Sequence, residues 1–364
     1  MEEEILDFSG VKSRFAEEDE ILDFSRVAAP PPRPTLSEEQ SKVRDNPGST
    51  LVTAAPGAGK TEVLIQRHER NEEELVSSLS LTFTVAAAKE IKRRIPGAEA
   101  STIHAFCFKH CNYQWSGNYP SLLKDYILNK EKAPYGEVLV DEVQNLSPLM
   151  LSVIKAIPKK SLFAVGDPYQ SCYIGNWAGN AWDAPALGKR AFEALASMCK
   201  DMQIKGNRRS SKEVVSLLER LNHRGLIALG PKKLNRTLIT ARTHQRLMDL
   251  SIKLQEANIP HQLYKRRDAE STKFDTYGTN PLVDLMVLHQ CIGTEYKQVF
   301  IADWMPPFKG TSEDDVESFN LLYTAAARAS EHIYTLERIK GSMCSYLPSS
   351  LDVTFERMLS ILGA

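Results

Sequence analysis

The sequence lacks any apolar run long enough to cross a bilayer. Its longest runs, Leu79–Phe83, Glu137–Val140 and Ser161–Val165, fall far short of the roughly 20 residues that a spanning helix needs. The first residues are acidic instead of basic and then apolar, so no secretory signal is read and no membrane partner is expected. Cysteine is scarce, with six in 364 residues. That is no disulfide scaffold, and it points to a reducing, cytoplasmic setting with the nucleus left open. A strong excess of one charge is also missing, because the formal net charge is −1. The charge is nevertheless unevenly placed. Residues 1–29 hold nine acidic and three basic side chains, so the rest of the chain carries +5. A mildly basic body suits phosphate contact but proves little alone.

What is present begins with a tail. Residues 1–34 repeat Glu4-Ile-Leu-Asp-Phe-Ser9 as Glu20-Ile-Leu-Asp-Phe-Ser25 and end in a proline-rich linker. Each copy is too small to build a core, so a disordered acidic tail is expected. The apolar content of the repeat also suits a bivalent docking peptide for a protein partner.

From Ser49 onward, short β-rich apolar runs alternate with helical stretches. Ser49–Thr53, Leu79–Thr84, Glu137–Val140 and Ser161–Val165 read as buried strands. A second series runs through Thr237–Thr240, Met286–Leu288, Gln298–Ala302 and His332–Leu336. Strands alternating with helices predict an α/β fold with parallel sheets covered on both faces. At this length two units are expected, joined near residues 200–206.

Ala54-Ala-Pro-Gly-Ala-Gly-Lys-Thr61 follows a predicted strand and opens a helix. In that context Ala55, Pro56, Gly57, Ala58 and Gly59 form a phosphate cradle whose N–H groups face the ligand at a helix N-terminus. Lys60 is placed to reach the β and γ phosphates, and Thr61 to ligate Mg²⁺. Val138-Leu-Val-Asp-Glu-Val-Gln144 then delivers Asp141 as a second metal-side oxygen ligand and Glu142 as the general base for an attacking water. Phe163-Ala-Val-Gly-Asp-Pro-Tyr-Gln-Ser171 presents Gln170, whose amide both donates and accepts and so suits a γ-phosphate sensor. Arg209 and Arg328, both farther along, are candidates to stabilise transition-state charge from across a cleft.

In this order the motifs resemble the UvrD/Rep-like branch of superfamily 1 helicases. Leu36-Ser-Glu-Glu-Gln40 is similar to the Q motif, and the Ala54–Thr61 loop to motif I, where this family carries Ala at the first position. Thr82–Glu90 resembles motif Ia, Ser101–Phe106 Ib, Asp141–Gln144 II and Gly166–Ser171 III. Asn207–Ser210 resembles motif IV, His289–Glu295 V and Tyr323–Arg328 VI. The resemblance implies two RecA-like P-loop NTPase domains, residues 35–202 and 203–364, that hydrolyse Mg-ATP between them. It also implies translocation along single-stranded DNA, 3′ to 5′. Gln40 would read the adenine edge, with Glu62, Arg208 and Glu295 also at the nucleotide. Thr84, His104, Phe106, Trp177 and His289 would contact the strand, the aromatics by stacking on bases.

The chain departs from the pattern in places. Ile292 stands where motif V usually has lysine, Ala327 where motif VI has threonine, and Gly175-Asn-Trp-Ala-Gly179 replaces a Phe-Arg-Gly continuation of motif III. Glu62 and Arg208 replace the usual base-sandwiching arginine and tyrosine, and an ion pair between them across the base edge is expected. The spacings leave little room for accessory domains between motifs Ib and II or IV and V, so weak unaided unwinding is expected. Two rival readings stay open: an RNA-directed superfamily 1 helicase, and a degenerate helicase fold kept as a scaffold. His104, Cys107, His110 and Cys111 lie close in sequence, but no second ligand pair gives them structural-zinc spacing.

Overall fold

The computed structural model describes residues 33–111, 118–129, 133–172, 188–265, 274–291, 293–303 and 312–363. The repeated N-terminal peptide and Trp177 lie outside the described residues. Among the described residues no helix is long and apolar enough to cross a membrane.

The first sheet is built from β1 (Thr50–Ala54), β2 (Ser78–Thr82), β3 (Glu99–Thr102), β4 (Tyr135–Val140), β5 (Lys159–Gly166) and β6 (Lys200–Ile204). They lie in the order β3-β2-β4-β5-β1-β6 and every pairing is parallel. Two residues later, β7 (Gly206–Asn207) pairs only with β8 (Ile227–Ala228). The second sheet holds β9 (Thr237–Ala241), β10 (His261–Tyr264), β11 (Phe274–Tyr277), β12 (Val283–Val287), β13 (Tyr296–Ala302), β14 (Ala329–Leu336) and β15 (Asp352–Val353). Its order is β11-β10-β12-β9-β13-β14-β15, parallel except for the β10–β11 edge pair.

Alternation along the strands explains the layers. On β4, Val138 and Val140 join one core while Leu139 joins the other. On β13, Val299 and Ile301 face one side, Phe300 and Ala302 the other. Both sheets are therefore covered on both faces, giving two α/β units. The helices start where the sequence supplies caps: Thr84, Ser147, Ser211 and Thr243 each accept a bond from a backbone N–H in the first turn.

Two buried polar contacts fasten the phosphate-loop helix, Lys60–Glu73, to this sheet. Arg67 grips the Glu137 carboxylate with two bonds of 2.8 Å, and Asn71 and Ser161 complete that carboxylate at 2.7 and 2.9 Å. His68 Nδ1 lies 2.7 Å from Ser80 Oγ, and burial brings its pKa down to about 4. A depressed folded pKa favours the neutral ring, so this stability is complete above the ordinary value near 6.5 and is lost as pH falls toward 4. Between pH 7 and 5 the loss is about 2 kcal/mol. Urea midpoints at the two pH values should therefore converge in His68→Gln, and an undiminished pH dependence would refute the assignment.

Candidate nucleotide site

The loop between β1 and its helix is shaped by two glycines in the left-handed region, Gly57 at φ +69° and Gly59 at φ +77°. A Cβ on Gly57 would stand 2.6 Å from Arg209 Cβ and 2.8 Å from Asn207 Oδ1, so only glycine lets the second half approach here. Gln40 braces the same loop. Its Nε2 donates to Ala58 O at 2.8 Å, and its Oε1 accepts from Ser37 N at 2.9 Å in a capping box.

Lys60 folds back along the loop, with Nζ 3.5 Å from Ala54 O and 3.4 Å from Ala55 O. Burial lowers its pKa, opposed by the negative charges of Glu142, Asp167 and Asp141. Thr61 Oγ1 donates to Asp141 Oδ2 at 3.1 Å. Burial pushes Asp141 up to about 7, and Glu142 alongside adds to the rise against the pull of Lys60. Two hard oxygen donors in contact, one of them a buried carboxylate short of positive charge, fit Mg²⁺. When bound, that ion would supply charge neutralisation to the phosphate oxygens, held by Thr61 and Asp141.

Glu142 sits at the end of β4 with φ +53° and ψ +45°, a strained setting for a side chain of this size. From it a chain of hydrogen bonds crosses the molecule. Gln144 Nε2 donates to Glu142 Oε2, and Gln144 Oε1 accepts from Asp167 N at 2.9 Å. Asp167 Oδ2 accepts from Gln170 Nε2 at 2.9 Å, and Gln170 Oε1 accepts from Arg328 Nη2 at 2.7 Å. Gly166 makes room for this chain, since a Cβ there would meet Gln144 Oε1 at 2.5 Å. Arg209 lies beside Arg328. Its Nε and Nη2 bond Glu295 at 3.0 and 2.8 Å, and Nη1 donates to Ala327 O at 2.9 Å. Burial, reinforced by the Arg328 charge, brings its pKa down to about 10.

Sequence reasoning missed two of these parts. Asn207 holds the phosphate loop from the second half, with Nδ2 donating to Pro56 O at 2.9 Å, while its Oδ1 caps the N–H groups of Arg209 and Ser210 at 2.8 Å each. Gln144 stood in a recognised motif, but its bridging role shows only in three dimensions. The expected Glu62–Arg208 pair is a correction. Glu62 is bound bidentately by Arg94 at 2.6 and 2.9 Å and by Gln66 at 2.7 Å. Arg208 instead reaches Thr35 O at 3.3 Å, and its backbone N–H donates to Gly57 O at 2.9 Å. The helix Val85–Arg94 brings its last residue to Glu62 first.

A family model described as an AAA domain matches residues 40–176. Over 85 residues the chain is 38% identical to the ATP-dependent DNA helicase PcrA of Staphylococcus epidermidis, a stretch of 20% of this chain and 12% of PcrA. Over that segment the chain is similar to a UvrD/Rep-like superfamily 1 helicase. PcrA from a second strain of the same species matches identically. The matched segment thus spans 12% of the length of these curated relatives. Among solved structures, Bacteroides Pif1 bound to ssDNA aligns at 11% identity and a TM-score of 0.44, covering 90% of this chain and 96% of that one. The arterivirus nonstructural protein 10 helicase aligns at 13% and 0.45, covering 85% and 63%.

The strand-contact residues expected of a UvrD/Rep-like chain fare unevenly. Thr84 is exposed and caps the helix that follows it. His104 is partly buried, its ring centroid 4.7 Å from that of Tyr119. His289 Nε2 lies 3.2 Å from Glu317 Oε1. Phe106 is the exception: it is 3% exposed and packs on Tyr126 and Tyr135 in the first core, so it offers no face to a base. Phe106→Leu should lower the unfolding free energy by roughly 1–2 kcal/mol. Single-strand affinity, read by fluorescence anisotropy, should stay within about twofold, whereas loss of a stacked base would cost ~1–3 kcal/mol of binding.

Proposed function

We propose that this chain is an ATP-dependent translocase or helicase acting on single-stranded DNA, moving 3′ to 5′. Mg-ATP would be hydrolysed between the two units expected at 35–202 and 203–364, with the border set just after β6 because that strand pairs with β1 up to Ile204. The observation that carries this reading is the hydrogen-bond chain Glu142–Gln144–Asp167–Gln170–Arg328. It ties a candidate water-activating carboxylate on one unit to a candidate charge-stabilising arginine on the other, so hydrolysis depends on how the units sit together. Lys60, Thr61 and Asp141 hold the phosphates and Mg²⁺, with Ala55, Pro56, Gly57, Ala58 and Gly59 as the cradle. Glu142 takes the water's proton, Gln170 senses the γ-phosphate, and Arg209 and Arg328 stabilise the transition state. Gln40, Glu62, Arg208 and Glu295 frame the nucleotide, while Thr84, His104, Trp177 and His289 touch the strand.

The setting is the cytoplasm, consistent with the scarcity of cysteine, six in 364 residues. The duplicated hexapeptide docks a protein partner that helps the compact motor unwind duplex. The deciding experiment is ATP turnover by the purified protein alone, with single-stranded DNA and with single-stranded RNA. Strong stimulation by DNA is expected. Stimulation by RNA alone would reassign the track, and no turnover under any condition would replace the motor with a binding scaffold.

A further inference from the structure

Asp167 is fully buried where the two units meet, and one of its partners belongs to none of the helicase-like motifs. Arg224 Nη1 donates to Asp167 Oδ1 at 2.7 Å, and the Arg224 side chain is only 12% exposed. Its guanidinium also lies over the Tyr169 ring, 5.2 Å from the centroid. Arg224 follows the helix Lys212–Asn222, whose Val214, Leu217 and Leu218 sit in a core shared with β13 and β14. The residue therefore moves with the second unit.

Its loop is built for placement. His223 ends the helix at φ +48°, and the Glu219 carboxylate then accepts the successive N–H groups of Arg224, Leu226 and Gly225 at 3.0, 2.9 and 2.8 Å. A carboxylate bound by three backbone donors fixes the loop from which Arg224 projects. On the opposite side, the loop carrying Asp167 is held by the second unit twice more. Asn320 Nδ2 donates to Ser171 O at 2.9 Å, and Cys172 Sγ lies 3.2 Å from Thr324 Oγ1. Asp167 is the junction of this arrangement: its N–H leads through Gln144 to Glu142, and its carboxylate leads through Gln170 to Arg328.

We infer that Arg224 is a positioning residue that couples the placement of the second unit to the alignment of Glu142 and Gln170, through the Asp167 carboxylate. This rests on the motor reading above. When the units shift, Arg224 carries Asp167 with it, and both ends of the hydrogen-bond chain turn together. Without that grip the Asp167 carboxylate keeps only the local bonds from Tyr169 N and Gln170 Nε2, and the sensor and the base lose this tie to the second unit.

The test is steady-state ATP turnover with saturating single-stranded DNA for wild type, Arg224→Gln, Arg224→Lys and Gln170→Ala, with the combination of Arg224→Gln and Gln170→Ala. Removing one partner of a buried charge pair should lower the stimulated kcat by about tenfold or more. The KM for ATP should hold within about twofold, since Arg224 reaches no part of the phosphate cradle. Arg224→Lys should restore part of the loss, and the double variant should be no slower than Gln170→Ala alone. A residue with only a structural role would move the unfolding midpoint without this kcat-against-KM split or this non-additivity. If Arg224→Gln does not fold, Glu219→Gln loosens the same loop with Arg224 intact and should lower the stimulated kcat in the same way. Wild-type kcat in a folded Arg224 variant, or additive losses with Gln170→Ala, would overturn the inference while leaving the motor reading standing. A wild type that DNA does not stimulate would sink the motor reading itself and this inference with it.

Discussion

Replacing Glu142 by Gln should lower ATP turnover by roughly 10²–10⁴-fold, the usual contribution of a positioned general base, while nucleotide still binds. The carboxamide fills the same volume and can still accept a bond from Gln144, but it cannot take a proton from water. The backbone there is already committed to an unusual conformation, and Glu142 N donates to Asp141 Oδ1 at 2.9 Å. The exchange therefore leaves the Asp141 and Thr61 oxygens undisturbed. Turnover should be measured with and without DNA, beside equilibrium binding of a fluorescent ATP analogue. Retained binding with lost turnover assigns the base. Turnover within a factor of two of wild type would move that role to another group.

The largest expected effect on stability lies on β4 itself. Glu137→Ala should destabilise the protein by about 3–5 kcal/mol, because it strands a buried guanidinium. Arg67 is 6% exposed and Glu137 1%, so water cannot replace the lost carboxylate. Of its hydrogen bonds Arg67 would keep only those to the carbonyl oxygens of Arg44 and Asn46, beside its contact with the Phe163 ring. Replacing both residues at once, Arg67→Met with Glu137→Leu, should cost much less, since no charge is left unpaired. Urea denaturation of the wild type and the two variants gives the comparison. Equal losses in the single and double variants would show that shape, not charge, holds this helix to β4.

How much of this was readable in the sequence follows from where each strand lies. The interior strands β1, β2, β4 and β5 are largely buried on both faces, so they stood out as short runs rich in apolar residues. The edge strands β3 and β6 read Glu-Ala-Ser-Thr and Lys-Asp-Met-Gln-Ile and did not, because an edge keeps one side toward water and tolerates polar residues. The same holds for β11 at the edge of the second sheet, while β10 beside it was hidden by its alternation of buried and half-buried residues. The site divides differently. Lys60, Thr61, Asp141 and Gln170 were found because local spacing fixes them on a loop and two strand ends. The partners of Glu62 could not be found that way. Arg94 is 32 positions away on a neighbouring helix, and only packing decides that it arrives before Arg208 does. Phe106 misled for a related reason: an aromatic beside a motif looks like a base platform until its helix is seen to turn that ring inward.

The contact between the phosphate loop and residues 207–209 has a mechanical consequence. The chain passes from one sheet to the other here, and it does so pinned. Asn207 holds Pro56 O, the N–H of Arg208 holds Gly57 O, and the Glu39 carboxylate accepts from the N–H groups of Lys205 and Gly206. A crossing strapped in this way works as a short crank and not as a slack tether. A shift of Pro56 and Gly57 would be passed directly to residues 205–209, which lead into the second unit ahead of β9 at Thr237.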